Sequence, residues 1–154
     1  MEIVQLRPGQ AARYAAWLSL FGAAFDEADT YTGAMPSEAY RDGLLANGDF
    51  LALAALDGER VIGGLAAYVM RKFERERSEI YIYDLAVAED WRRRGVATAL
   101  INTVRKRAPE WDAWVLMIQA DHQDEAPVAL YSKLGQREDV LHFDILPLES
   151  EPEI

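Results

Sequence analysis

The period of the apolar positions changes several times along the chain, and each change marks an element. Tyr14, Trp17, Leu18, Phe21 and Phe25 recur at spacings of three and four, which predicts an amphipathic helix over residues 10–25. Asp26-Glu27-Ala28-Asp29-Thr30-Tyr31-Thr32-Gly33 breaks that period and reads as an acidic loop. Ser37 is placed to cap a second, short helix ending near Asn47-Gly48. Phe50–Leu56 and Val61–Met70 are apolar runs joined by Asp57-Gly58-Glu59-Arg60, a hairpin pattern, and charged Arg71–Ser78 reads as a solvated turn. Glu79–Val87, rich in Ile, Tyr and Val, predicts a strand covered on both faces. After the polar turn Ala88–Arg94, the residues Val96, Leu100, Ile101 and Val104 mark a helix that stops before Pro109. Trp114–Gln119 predicts a strand, Ala126–Leu134 a helix with Gly135 suited to its C-cap, and Val140–Ile145 a last strand. The acidic tail Glu149–Ile154 is expected to fray. The order helix, helix, hairpin, strand, helix, strand, helix, strand predicts one mixed α/β domain over residues 1–148, followed by the tail 149–154.

Composition narrows the class of protein. With 154 residues, 51% of them hydrophobic, the chain has enough apolar surface for one packed core. It contains no Cys, which removes disulfides, thiolate metal sites and a Cys nucleophile from consideration. A net charge of −10 argues against a nucleic-acid partner, which needs a basic surface, and favours a cationic ligand if the acids line a cleft. Met1-Glu2-Ile3-Val4-Gln5 lacks the basic flank and apolar run of a signal peptide, and no apolar stretch is long enough to span a bilayer. The expectation is a soluble cytoplasmic domain with no membrane partner. His122 and His142 lack metal-site spacing, so no metal is expected.

Against that acidic background the turn Arg92-Arg93-Arg94-Gly95-Val96-Ala97 is a local positive island. It joins a strand to a helix, where unpartnered amides and the helix dipole favour an anion. Gly95 permits close backbone approach and Ala97 leaves space beside it. Asp84-Leu85-Ala86-Val87 followed by Arg92-x-x-Gly95-x-Ala97 resembles the acetyl-CoA signature of the GNAT acetyltransferase superfamily. Val128-Ala129-Leu130-Tyr131-Ser132-Lys133-Leu134-Gly135 resembles its later motif at the expected separation, with Asp124 and Pro127 replacing the usual Asn and Ala, and Gln136 replacing an aromatic. Ile80–Val87, Ala97–Asn102 and His142–Ile145 further resemble the type I aminoglycoside 3-N-acetyltransferases, the gentamicin-resistance enzymes, as do Leu51–Ala55 and Leu65–Val69. The resemblance implies a GNAT fold, an α/β (α+β mixed) architecture with a mostly antiparallel twisted sheet flanked by helices on both faces. It implies acetyl-CoA held by Leu85, Ala86, Val87, Arg92, Arg93, Arg94, Gly95, Val96, Ala97, Thr98, Asp124, Ala126 and Tyr131.

The implied reaction is direct transfer of an acetyl group to an amine in a ternary complex, and the absence of Cys fits it. Simple alternation along 79–87 groups Asp84 with Ile80, Ile82 and Ala86, an otherwise apolar face, and leaves Glu79 on the other. Partial burial there would raise the pKa of Asp84 toward that of a general base; the other role open to it is a structural acceptor or an anchor for an ammonium. Tyr131 occupies the superfamily position that points at the cofactor sulfur, while its helical spacing from Val128 and Leu134 also suits a half-buried aromatic. An aminoglycoside carries several ammonium groups, so Glu27, Asp29, Asp84, Asp121 and Asp144 are the candidate substrate-binding carboxylates. Asp144 is preferred among the scattered acids because it falls between Phe143 and Ile145 in the expected last strand, where a bare carboxylate needs a partner. The alternatives are a GNAT enzyme acting on a polyamine or protein N-terminus, and a non-catalytic acyl-CoA-binding module. A homodimer is a further expectation.

Overall fold

The structure, a computed structural model, describes residues 1–148. The chain divides into two compact units, Met1–Gln119 and Ala120–Ile154.

The first unit contains β1 (Glu2–Gln5), α1 (Ala11–Ala24), α2 (Ala28–Thr32), α3 (Glu38–Ala46), β2 (Phe50–Asp57), β3 (Arg60–Arg71), β4 (Ser78–Val87), α4 (Val96–Arg107) and β5 (Ala113–Ile118). The five strands form one sheet in the order β1-β2-β3-β4-β5. Each of the first four is antiparallel to its neighbours among them, and β5 runs parallel to β4. The two faces of β3 receive different helices. A Cβ on Gly64 would lie 2.8 Å from Trp17 Nε1 and 3.0 Å from Phe21 Cζ, so α1 rests directly on backbone there. On the opposite face a Cβ at Gly63 would meet Val96 of α4 at 2.7 Å. The sheet is therefore covered on both sides, as its near-continuous burial in β2 and β3 requires. On the α1 face Trp17, Phe21, Phe50, Ala66 and Ala86 form one buried cluster, and Trp17 Nε1 donates to Leu53 O at 2.9 Å.

Ser37 caps α3 as its sequence position predicts, accepting from the Tyr40 amide at 3.2 Å. Three other expectations are corrected. The acidic segment after α1 contains α2, a five-residue helix too short to show a period. β1, unforeseen because four residues give little alternation, pairs with the edge of β2. The expected last strand, Val140–Ile145, does not form. Val140, Leu141, Phe143 and Ile145 are exposed, and a strand needs a hydrogen-bonding neighbour that alternation alone does not supply.

The second unit has one regular element among its described residues, α5 (Glu125–Leu134). Gly135 ends it, but in extended conformation (φ −148°, ψ −175°) and not as the left-handed cap its identity suggests. The acidic tail Glu149–Ile154 lies outside the described residues.

Candidate active site

The register of β4 against β3 relocates Asp84. Tyr81 pairs with Tyr68 and Ile82 with Ala67, but the next pair is Asp84 with Ala66, so Tyr83 is the extra residue of a β-bulge. Directly paired residues share a face, so Asp84 lies with Ala66, Tyr68 and Tyr81 on the α1 side. The expected grouping of Asp84 with Ile80 and Ile82 is therefore wrong: the bulge reverses the alternation, and those isoleucines are buried on the other face. Glu79 shares the face of Asp84 after all, five residues away along the strand, and is ion-paired with Lys72 at 3.7 Å. The expected grouping of Asp84 with Ala86 holds.

On this face Asp84 meets an aromatic wall. Tyr83 makes edge contacts with Tyr68 and Tyr81 at centroid distances of 5.9 and 5.8 Å. Tyr31, from α2, donates its hydroxyl to Asp84 Oδ2 at 2.8 Å. α1 delivers Tyr31 through a Schellman turn: Asp26 adopts φ 53°, and the Glu27 amide donates back to Gly22 O at 2.9 Å. Burial pushes the Asp84 carboxyl above the ordinary aspartate range; the Tyr31 hydrogen bond opposes this shift and the charge of Glu27 adds to it. A partly buried, raised carboxylate beside open aromatic surface is suited to accept a proton from an amine. Glu27 and Asp29, the N-cap and first-turn residues of α2, are exposed and close to Tyr31 in sequence.

Leu85, Ala86 and Val87 continue β4 beyond the bulge. Pairing between β4 and β5 stops at Ile82 with Ile118, so the β5-side edge of these three residues has no strand partner among the described residues. A peptide-like chain such as pantetheine fits an edge of this kind, because it supplies the missing hydrogen bonds. The chain then enters a 3₁₀ turn, Glu89–Trp91. Arg60 clamps this turn from the β2–β3 hairpin, through two bonds to Asp90 at 2.8 and 2.9 Å. Arg93 (φ 60°) and Gly95 (φ 79°) are both left-handed, and Gly95 is the N-cap of α4 with no side chain capping the helix. The first amides of α4 are thus left for an external acceptor, and the surrounding Arg92, Arg93 and Arg94 are exposed. Arg94 stacks over Trp91 at 4.9 Å, which holds one of the three cations in place. A groove of about 380 Å³ beside the turn is lined by Ser19, Leu20 and Ala23 of α1 together with Val87, Ala88 and Arg92. A pyrophosphate fits this set of groups: Val96, Ala97 and Thr98 offer backbone amides at the helix start, and the arginines offer charge.

In the second unit Asp124 is the N-cap of α5, with its side chain not engaged in capping, and Ala126 lies in the first turn. Burial, then the charge of Asp124, pushes the Tyr131 hydroxyl up to about 12. Asp121 is exposed, and its carbonyl accepts from the Asp124 amide at 3.0 Å. Asp144 departs from expectation. It lies in no strand, is exposed, and bonds to His142 Nε2 at 2.9 Å. Its apolar sequence neighbours are themselves exposed, so no burial forces that carboxylate to find a partner. His122 makes contacts with Arg137 at 3.3 Å and Asp139 at 3.9 Å.

Sequence reasoning missed Tyr31 and the Arg60–Asp90 clamp. The available signal for Tyr31 was an aromatic residue inside an acidic segment, directly after an aromatic-rich helix. Comparison with known proteins bears on the fold and the family. An aminoglycoside acetyltransferase from an uncultured soil metagenomic sample is 51% identical over 96% of this chain and 98% of its own, with a TM-score of 0.92. A second from such a sample, solved with sisomicin, is 26% identical over 94% of this chain and 95% of its own, with a TM-score of 0.85. A ribosomal-protein-alanine N-acetyltransferase from Brucella melitensis, 22% identical over 95% of this chain and 99% of its own, shares the fold with a TM-score of 0.72. No curated protein sequence matches the chain. The profile described as the Acetyltransferase (GNAT) family matches residues 14–136. The fold, the uncapped start of α4 and this match agree: the chain belongs to the GNAT family and is an acetyl-CoA-dependent N-acetyltransferase.

Proposed function

We propose that the protein acetylates an aminoglycoside, at the 3-amino group, by direct transfer in a ternary complex. The observation that carries this reading is the half-buried Asp84 on an aromatic face, bonded to Tyr31 and close enough to Glu27 to feel its charge. The 51% identity to an aminoglycoside acetyltransferase supports the substrate class. The resemblance of Ile80–Val87 and His142–Ile145 to the 3-N enzymes supports the position.

Acetyl-CoA supplies an acetyl group activated as a thioester. Asp84 takes a proton from the acceptor's ammonium, which exposes the nitrogen lone pair for C–N bond formation. Glu27 and Asp29 attract neighbouring ammonium groups of the same polycation, while Asp121 and Asp144 of the second unit are candidates on their charge alone. The Tyr131 hydroxyl, protonated across the working range, donates its proton to the sulfur released as the C–S bond breaks, and the second proton of the attacking nitrogen, shed once the C–N bond has formed, replaces it on Tyr131 by way of solvent. The family resemblance supports Leu85–Val87 and the turn Arg92–Thr98 as holding the donor, and it is the sole support for Asp124 and Ala126 at the start of α5 in the same role.

The second reading is another cationic amine, favoured by the same acids and by the general acidity of the chain. Thiol release measured with gentamicin, spermidine and a peptide N-terminus separates the two. Gentamicin is expected to give the highest kcat/KM; turnover confined to spermidine or the peptide would overturn the assignment. Acetyl-CoA binding without thiol release from any of them would mark a non-catalytic module.

A further inference from the structure

We propose that Tyr31 is a positioning residue for Asp84: its hydroxyl fixes the carboxylate through Oδ2 and leaves Oδ1 to receive the acceptor's proton. The inference rests on the reading of Asp84 as the base. The donor and acceptor come from α2 and β4, 53 residues apart in sequence, and meet at 2.8 Å. Tyr31 is held before it reaches the carboxylate. Its ring stacks on Phe21 at 5.8 Å and packs against Phe25 at 5.9 Å, and its amide donates to Glu27 O at 3.3 Å. Gly22 allows α2 to seat this closely, since a Cβ there would lie 3.1 Å from Ala28 Cα and 3.5 Å from Tyr31 Cβ. A ring locked by packing orients its hydroxyl without further loss of rotamer freedom, the requirement for holding a reactive group in place.

The direction of donation is fixed as well. Burial, the bond to Asp84 and the charge of Asp84 all push the Tyr31 hydroxyl above its ordinary value, so it stays protonated while Asp84 titrates. It therefore serves Asp84 as a donor and never competes as the base. A hydrogen bond to the charged form lowers a carboxyl pKa, whereas burial and like charge raise it. The other titratable groups facing Asp84 are Glu27 ahead of α2, Tyr68 on β3, and Tyr81 and Tyr83 on β4; α1 presents Phe21 and Phe25 there. With no cation among its influences, Asp84 has Tyr31 alone opposing the rise.

The test is the pH profile of kcat/KM for gentamicin at saturating acetyl-CoA, for the wild type, Tyr31→Phe and Asp84→Asn, with thermal melts of each. Tyr31→Phe keeps the ring and its packing. It is expected to melt as a folded protein and keep its KM for acetyl-CoA. Its enzyme-borne acidic break should move to higher pH by about one unit, a tenfold loss below the break. An unmoved break, with or without an equal loss at every pH, overturns the role of Tyr31. Tyr31→Leu, which removes the ring as well, separates packing from orientation: if Tyr31→Phe loses as much stability as Tyr31→Leu, the role is structural and the inference fails. An Asp84→Asn enzyme that keeps the wild-type profile overturns the Asp84 reading, and this inference with it. A dead Asp84→Asn enzyme beside an unmoved Tyr31→Phe break overturns the inference alone.

Discussion

Asp84 carries a cost that the fold tolerates. A carboxylate in a partly buried, aromatic setting is disfavoured in its charged form, and one hydrogen bond from Tyr31 offsets only part of this. Its folded pKa lies above the unfolded one, so the native state binds more protons between the two values and stability falls as pH rises through that window. Asp84→Asn removes the charge while keeping an acceptor for Tyr31. The variant should therefore melt higher than the wild type at pH 8, with the difference shrinking as pH falls into the ordinary aspartate range. Its turnover should drop about 10²–10⁴-fold, with acetyl-CoA affinity little changed. Calorimetry and single-turnover kinetics read both effects, and a parallel loss of turnover and cofactor affinity would make Asp84 structural. The identity of this residue was legible in Asp84-Leu85-Ala86-Val87, but its surroundings were not. A one-residue bulge at Tyr83 leaves no mark in a run of alternating Ile and Tyr, yet it decides which face the carboxylate joins.

At the scale of elements, the cofactor turn is a strand end, a clamped 3₁₀ turn and an uncapped helix start, arranged in sequence. Gly95 matters through its φ of 79°, and the space around its missing Cβ is open within 4 Å. A valine there must adopt a left-handed conformation that costs on the order of 1–2 kcal/mol, or else rotate the first amides of α4 away from the phosphates. Gly95→Val is expected to weaken acetyl-CoA binding at least about tenfold while the fold persists. Isothermal titration measures it, and unchanged affinity would refute the assignment of the turn. This element was readable because its signal is local: basic residues, then Gly, then a helical period. α2 and β1 were not, since five and four residues fall below the length at which a period shows. Val140–Ile145 failed for the opposite reason. Its pattern is that of a strand, but strand formation is decided by a pairing edge that the segment does not contain.

At the scale of the whole molecule, an acidic protein has gathered three arginines at one turn and left carboxylates near an aromatic face of the sheet. The first arrangement suits an anionic donor and the second a cationic acceptor, and the two coexist in a chain with a net charge of −10. The donor side rests on family membership over residues 14–136. The acceptor side rests on Asp84, Tyr31 and the neighbouring acids, and its most direct test is chemical. NMR of gentamicin after incubation with the enzyme and acetyl-CoA should show a single new acetyl group on the 3-amino nitrogen, formed in step with free thiol. Unmodified gentamicin, or acetylation at another amine, would contradict the account.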